Sequence, residues 1–302
     1  MKDGLLKGTI MSKKVEIMVV GAQKCGTTSL HDILSNHPQL ELPFLKELYF
    51  FTNSNQYANV DNFHQHYKFL DGKVAMNITP NNMCHPHAMQ RIYDYNPQMK
   101  IVVMLREPTA RCISQYKMRE RTLKEKRSFK EVVYFELNDK NLGQPDCLSI
   151  VYRSMYDLQI QGILDVFPRN QVYFILFEDF VKDQQKSVND LLAWCNLSSF
   201  SFEPVNSNES FYPKKTFIWR LLMKFPARYL RYIQTKLNVN IRQNLKDIYK
   251  KRGTPPVIDI ETIHTLQEFF KKGIDETEKL TGLNLDVWRN MSFETRIKTP
   301  QK

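Results

Sequence analysis

The chain has 302 residues, 42% of them hydrophobic, which is enough for a substantial core in one large α/β domain or two smaller ones. Its 43 Lys and Arg against 32 Asp and Glu leave a net charge of +11, suiting either a solvated basic surface or a polyanionic partner. Five widely spaced cysteines, with no C-x-x-C, argue against a disulfide framework, and the apolar stretch near the N-terminus is too short for a membrane span or signal core. These features predict a reducing, cytoplasmic setting, with a Golgi lumen as the alternative if an upstream anchor has been removed. Four N-x-[ST] sequons, at Asn77, Asn196, Asn208 and Asn290, carry little weight, since chance supplies several in a chain of this length.

In chain order, residues 1–13 read as a tail. Residues 15–20, "VEIMVV", form a short β-branched run like a buried parallel strand. A helix is predicted from 28 to 36, a second strand at 73–80 and the clearest strand at 99–106. A helix follows over "EPTARCISQYKMRER", with Pro108 in its first turn, where a missing N–H does no harm. Further predictions are a helix at 149–166, a strand and turn at 171–180, a helix over "SVNDLLAWCNL" and a late helix at 258–280. The alternation predicts an α/β fold with a parallel central sheet flanked by helices, in one domain spanning 14–295. Residues 206–256, rich in Lys, Arg and Tyr, read as a basic lid or acceptor-side subregion.

The loop after the first strand, "GAQKCGTTS", is spaced like a phosphate-binding loop from Gly21 to Thr28. A strand turning through glycines into a helix N-terminus converges backbone N–H groups on an anion. Thr27, Thr28 and Ser29 add hydroxyls. Thr27 stands where a nucleotidase keeps its lysine, and the cation sits earlier, at Lys24. No apolar strand ends in a magnesium-holding Asp; Asp165 falls in a predicted helix. The ligand reads as phosphate-like and independent of metal. Cys25 has no partner His in a recognisable context and reads as a small space-filling residue.

Arg106 ends the third predicted strand, and Ser114 lies eight residues on, in the following helix. Strand C-termini share one edge of a parallel sheet, so this pair could hold a second phosphate. In "LPFLKELYFF", Lys46 and Glu47 read in isolation as a surface pair; placed at the crevice, Glu47 becomes a candidate general base. The histidines of "HQH" and "CHPH" fit no usual zinc spacing, and no metal site is assigned.

Taken together, "VVGAQKCGTTSLHDILSNHPQL", "KELYFF" and "VVMLREPTARCISQY" resemble the PAPS-dependent sulfotransferases, especially the carbohydrate branch with heparan sulfate sulfotransferases and bacterial relatives. "SMYDLQIQGILDVFP" and "LTGLNLDVW" are similar as well. The resemblance implies the P-loop-like sulfotransferase fold and PAPS as co-substrate, leaving adenosine 3′,5′-bisphosphate without a required metal. It implies that Lys24, Cys25, Gly26, Thr27, Thr28 and Ser29 cradle the 5′-phosphosulfate, with Lys24 stabilising the leaving phosphate. Arg106 and Ser114 would hold the 3′-phosphate, Tyr156 would lie near the cofactor, and Glu47 would be the base. Lys251 and Arg252 would stand in for a basic cofactor loop. Where the glycan branch often has E-K-T-P, this chain has Asn77-Ile78-Thr79-Pro80.

The expected function is sulfuryl transfer to a hydroxyl or amine of a carbohydrate or glycolipid acceptor, with no nucleic-acid partner. Two alternatives stay open: a P-loop kinase using Mg-ATP, and a non-catalytic polyanion-binding protein.

Overall fold

Short β-branched runs become strands here because each is buried on both faces. Walking along the chain, the elements are β1 (Ile17–Gly21), α1 (Thr27–Leu34), β2 (Leu40–Glu41), β3 (Val74–Ile78), α2 (Ala88–Tyr95), β4 (Lys100–Leu105) and α3 (Pro108–Arg121). They continue with α4 (Phe129–Leu137), α5 (Tyr156–Leu164), β5 (Val172–Leu176), α6 (Phe177–Lys182), α7 (Gln184–Trp194), α8 (Ile260–Thr281) and α9 (Asp286–Arg289). The computed structural model describes residues 13–205 and 254–293. They form two compact units, one made of residues up to 105 with 161–205, the other of 106–160 with the late segment. The basic segment 206–256, through residue 253, lies outside the described residues, with Lys251 and Arg252 in it.

The first unit holds the sheet, in the order β2-β3-β1-β4-β5. Every pairing is parallel, with Ile17 opposite Met76 on one side and opposite Lys100 on the other. All five residues of β1 are buried, as a central strand covered on both faces must be. Because β3 and β4 flank β1, the winding reverses there. Such a reversal opens a crevice beyond the strand C-termini, where α/β proteins bind ligands. The loop carrying Lys24 leaves β1 at that end. An aromatic cluster packs below: Phe50 stacks on Phe63 at 5.0 Å, and Phe51 meets Tyr95 edge-on at 5.6 Å. Phe50 and Phe51 are both buried, so the chain that carries Glu47 is anchored three residues downstream in the core.

In the second unit α8 packs against α3 and α4. Asp259 caps α8 by accepting from the Thr262 N–H at 2.8 Å, and Gly282 ends it in the left-handed conformation. No helix is predicted over 129–137, yet α4 starts there from a capping box formed by Ser128 and Glu131.

Two expectations are corrected. The single helix predicted over 149–166 is broken into a 3₁₀ turn, Tyr152–Ser154, and α5. Side chains occupy the backbone groups a continuous helix would need. Fully buried Arg111 donates to the Ile150 carbonyl and to the Ser154 hydroxyl, and Glu136 accepts from the Val151 N–H at 2.8 Å. The cysteines are not all free thiols: Cys25, Cys112 and Cys195 are, whereas Cys84 and Cys147 are disulfide-bonded.

Candidate active site

The loop between β1 and α1 is shaped by its two glycines. A Cβ on Gly21 would lie 2.4 Å from Met83 Sδ and 2.5 Å from Met83 Cβ, so only hydrogen fits. Gly26 takes φ of 90° as the N-cap of α1, the left-handed region that glycine enters without a steric penalty. Lys24 also has positive φ, 78°, at the tip of the turn, and its side chain is half-buried. The Ala22 N–H bonds the Met104 carbonyl at 2.7 Å, tying the loop to β4. The first turn of α1 therefore starts directly from the loop. Its N–H groups have no acceptor within their own helix, and that end carries partial positive charge. Cys25 is wholly buried.

The segment carrying Glu47 meets this loop. Lys46 donates to the Thr28 hydroxyl at 2.7 Å and stands 3.9 Å from a Glu47 carboxylate oxygen. The two side chains are 20% and 28% exposed, so water reaches both without surrounding either. Tyr49 donates from its hydroxyl to the other Glu47 oxygen at 2.9 Å. Thr79 donates toward the Leu48 carbonyl at 3.1 Å and the Asn77 side-chain oxygen at 2.7 Å. Buried Thr79, itself held by Asn77, therefore braces the residue next to Glu47. His31, on α1, lies within the field of both Lys46 and Glu47, and burial holds its imidazole below the usual histidine range. Sequence reasoning missed Lys46 as a partner of Thr28 and missed His31 altogether. No local pattern distinguishes a lysine that folds back onto a helix start from one on the surface.

Within the second unit, Arg106 is the residue that follows β4. Glu107 is buried beside it and caps α3 by accepting from the Thr109 N–H at 3.0 Å and from the Ala110 N–H. Tyr156 is 2% exposed, and its hydroxyl donates to the Arg106 carbonyl at 2.9 Å. Its ring packs 5.9 Å from that of Trp288, in the "LDVW" stretch. Ser114 lies on α3, two turns on, half-buried. Arg106 and Tyr156 are thus in direct contact. The histidines of the two clusters serve packing: His64 bonds the Tyr95 hydroxyl at 2.9 Å, and His85 faces His87 edge-on at 5.9 Å. Among the described residues no group of His, Cys, Asp or Glu is arranged to hold a metal ion, and no helix is long and apolar enough to cross a membrane.

Comparisons with known proteins bear on this arrangement. The chain is 24% identical over 165 residues to mouse heparan sulfate glucosamine 3-O-sulfotransferase 5, covering 52% of this chain and 46% of that protein. It is 23% identical over 268 residues to human heparan sulfate glucosamine 3-O-sulfotransferase 3B1, covering 88% and 63%. The chain thus spans less than two thirds of the length of these relatives. A solved sulfotransferase from Alicyclobacillus acidocaldarius superposes with a TM-score of 0.67 at 26% identity, covering 92% of this chain and 99% of that one. The model of the sulfotransferase domain matches residues 14–220, which include the loop between β1 and α1, Glu47, Arg106, Ser114 and Tyr156, and on that match the chain belongs to the sulfotransferase domain family.

Proposed function

We propose that this protein transfers a sulfuryl group from PAPS to a hydroxyl of a carbohydrate, with Glu47 as general base. The observation that carries the reading is the meeting of Lys46 with both Thr28 and Glu47, 2.7 and 3.9 Å away, which brings a carboxylate to the mouth of an anion-binding loop. The carbohydrate acceptor is carried over from the relatives, whose names place their reaction on heparan sulfate glucosamine.

The residues suit a phosphosulfate. Gly26 frees the backbone to approach an anion closely, and the start of α1 offers N–H donors and hydroxyls. The donor supplies an activated sulfuryl group on a phosphate that leaves. Lys24 and the α1 N-terminus would hold the oxygens on which negative charge grows as that bond breaks. Glu47, held by Tyr49 and Lys46, would take the proton from the acceptor hydroxyl. Arg106 and Ser114 of the second unit would take the 3′-phosphate, and Tyr156 would hold the Arg106 backbone for that task. A sulfuryl group carries less charge than a phosphoryl group, so one lysine and backbone donors suffice where a kinase uses Mg²⁺.

Calorimetry with adenosine 3′,5′-bisphosphate, with and without Mg²⁺, tests the donor assignment, and a labelled-donor assay on oligosaccharides tests the transfer. Tight metal-independent binding, lost in Arg106→Ala, is expected. Glu47→Gln should keep that binding and lower transfer by about 10²–10⁴-fold, the range of general base catalysis. A preference for Mg-ATP, or full transfer by Glu47→Gln, would overturn the proposal.

A further inference from the structure

Lys117 lies on α3, three residues beyond Ser114, so the two side chains share one helix face about 5–6 Å apart at Cβ. It is half-buried and has no hydrogen bond or ion pair among the described residues. Its surroundings oppose its charge twice. Burial pushes the ammonium below the usual lysine range, and the positive charge of Arg106 pushes the same way. No carboxylate among the described residues offsets either effect. The similarly half-buried Lys46 and Lys100 each reach an acceptor, the Thr28 hydroxyl and the Trp194 carbonyl. A half-buried cation without an acceptor among the described residues, one helix turn beyond the Ser114 hydroxyl and in the field of Arg106, makes a site that an anion would relieve.

We propose that Lys117 is a third donor to the anion site of Arg106 and Ser114 and sets its preference for a dianionic phosphate monoester. This rests on the reading of Arg106 and Ser114 as the 3′-phosphate site and adds a residue to it. The chemistry fits. A phosphate monoester carries close to two negative charges and three terminal oxygens. The planar Arg106 fork can take two of those oxygens, and the Ser114 hydroxyl and Lys117 ammonium supply the remaining donor and the second positive charge. A nucleotide without that monoester brings no anion to offset the second cation.

The test is the ratio of affinities for adenosine 3′,5′-bisphosphate and adenosine 5′-phosphate, measured by calorimetry on the whole chain. Lys117→Gln should lower the affinity for the bisphosphate about tenfold, the scale of one charge-assisted hydrogen bond, and leave that for the 5′-phosphate unchanged. Lys117→Arg should restore most of the loss. Circular dichroism melts of both variants check that the fold is kept. If Lys117→Gln leaves the ratio within twofold while Arg106→Ala collapses it, the 3′-phosphate site stands and the role of Lys117 is overturned. If Arg106→Ala also leaves the ratio unchanged, the 3′-phosphate site itself is misassigned and this proposal falls with it.

Discussion

Lys46 donates a 2.7 Å hydrogen bond from its ammonium to the hydroxyl of Thr28, 18 residues earlier in the chain. The bond ties the segment carrying Glu47 to the first turn of α1. Lys46→Ala should therefore do two things at once. It removes a positive charge beside the proposed anion loop, and it frees the Glu47 segment to drift. Transfer activity should fall about tenfold or more, and the affinity for adenosine 3′,5′-bisphosphate should fall with it. Steady-state kinetics and calorimetry on the variant read both. Wild-type values in both would show that the bond does no positioning.

Tyr49 offers a test of the proposed base that leaves the loop untouched. Its hydroxyl donates to a Glu47 oxygen at 2.9 Å, and Tyr49→Phe removes that bond with little change of shape. A positioning role predicts a several-fold fall in kcat with nucleotide affinity unchanged, since the lost bond orients the carboxylate and does not bind the donor. A fall in nucleotide affinity without one in kcat would place Tyr49 on the wrong side of the reaction.

The two loop glycines should resist substitution for different reasons. Gly21→Ala puts a methyl group 2.5 Å from Met83 Cβ, a collision with an atom that cannot swing away. Gly26→Ala forces a side chain into φ of 90° and to 3.1 Å from the Phe177 ring. Each should cost about 1–3 kcal/mol, read as a lower midpoint in urea denaturation. Midpoints equal to that of the wild type would mean that the loop is looser than its packing implies.

Acid should destabilise the first unit before its carboxylates titrate. Burial holds His31, His64, His66 and His85 below the ordinary histidine value of about 6.5. The unfolded chain then binds more protons than the folded one, so stability rises with pH between the depressed folded values and about 6.5, and is lost as pH falls through that window. Above it these residues contribute no pH dependence. Glu16 in the same unit, pushed up by burial, acts in the opposite direction but nearer the carboxylate range. Melting temperatures at pH 7.5 and 5.5 should differ, and His31→Asn should narrow the difference. A flat profile over that interval would contradict the burial argument.

Much of the sheet was legible because its signals are local. β1 and β4 are runs of Val, Ile and Met long enough for one buried strand each, and the structure places them at 17–21 and 100–105, within two residues of the predicted ends. The loop from Gly21 to Thr28 was legible for the same reason: glycine spacing after a strand constrains the backbone without reference to the rest of the chain. β2 was not, since its two residues, Leu40 and Glu41, are too few to carry a period. Nor was the break in the 149–166 helix, because the side chain responsible, Arg111, lies some 40 residues upstream.

The sequence by itself determined the α/β class and the glycine-framed loop with Lys24 at its tip, and it marked Glu47, Arg106 and Ser114 as candidates. Only the tertiary structure decided which of them meet: that Lys46 turns back to Thr28, that Thr79 braces Leu48, that Tyr156 grips the Arg106 carbonyl, and that Lys117 lies half-buried in the field of Arg106. The physical reason is range. Periodicity and turn chemistry act over a few neighbouring residues, whereas a hydrogen bond or a Coulomb field depends on the path the chain takes between its partners, which packing alone sets.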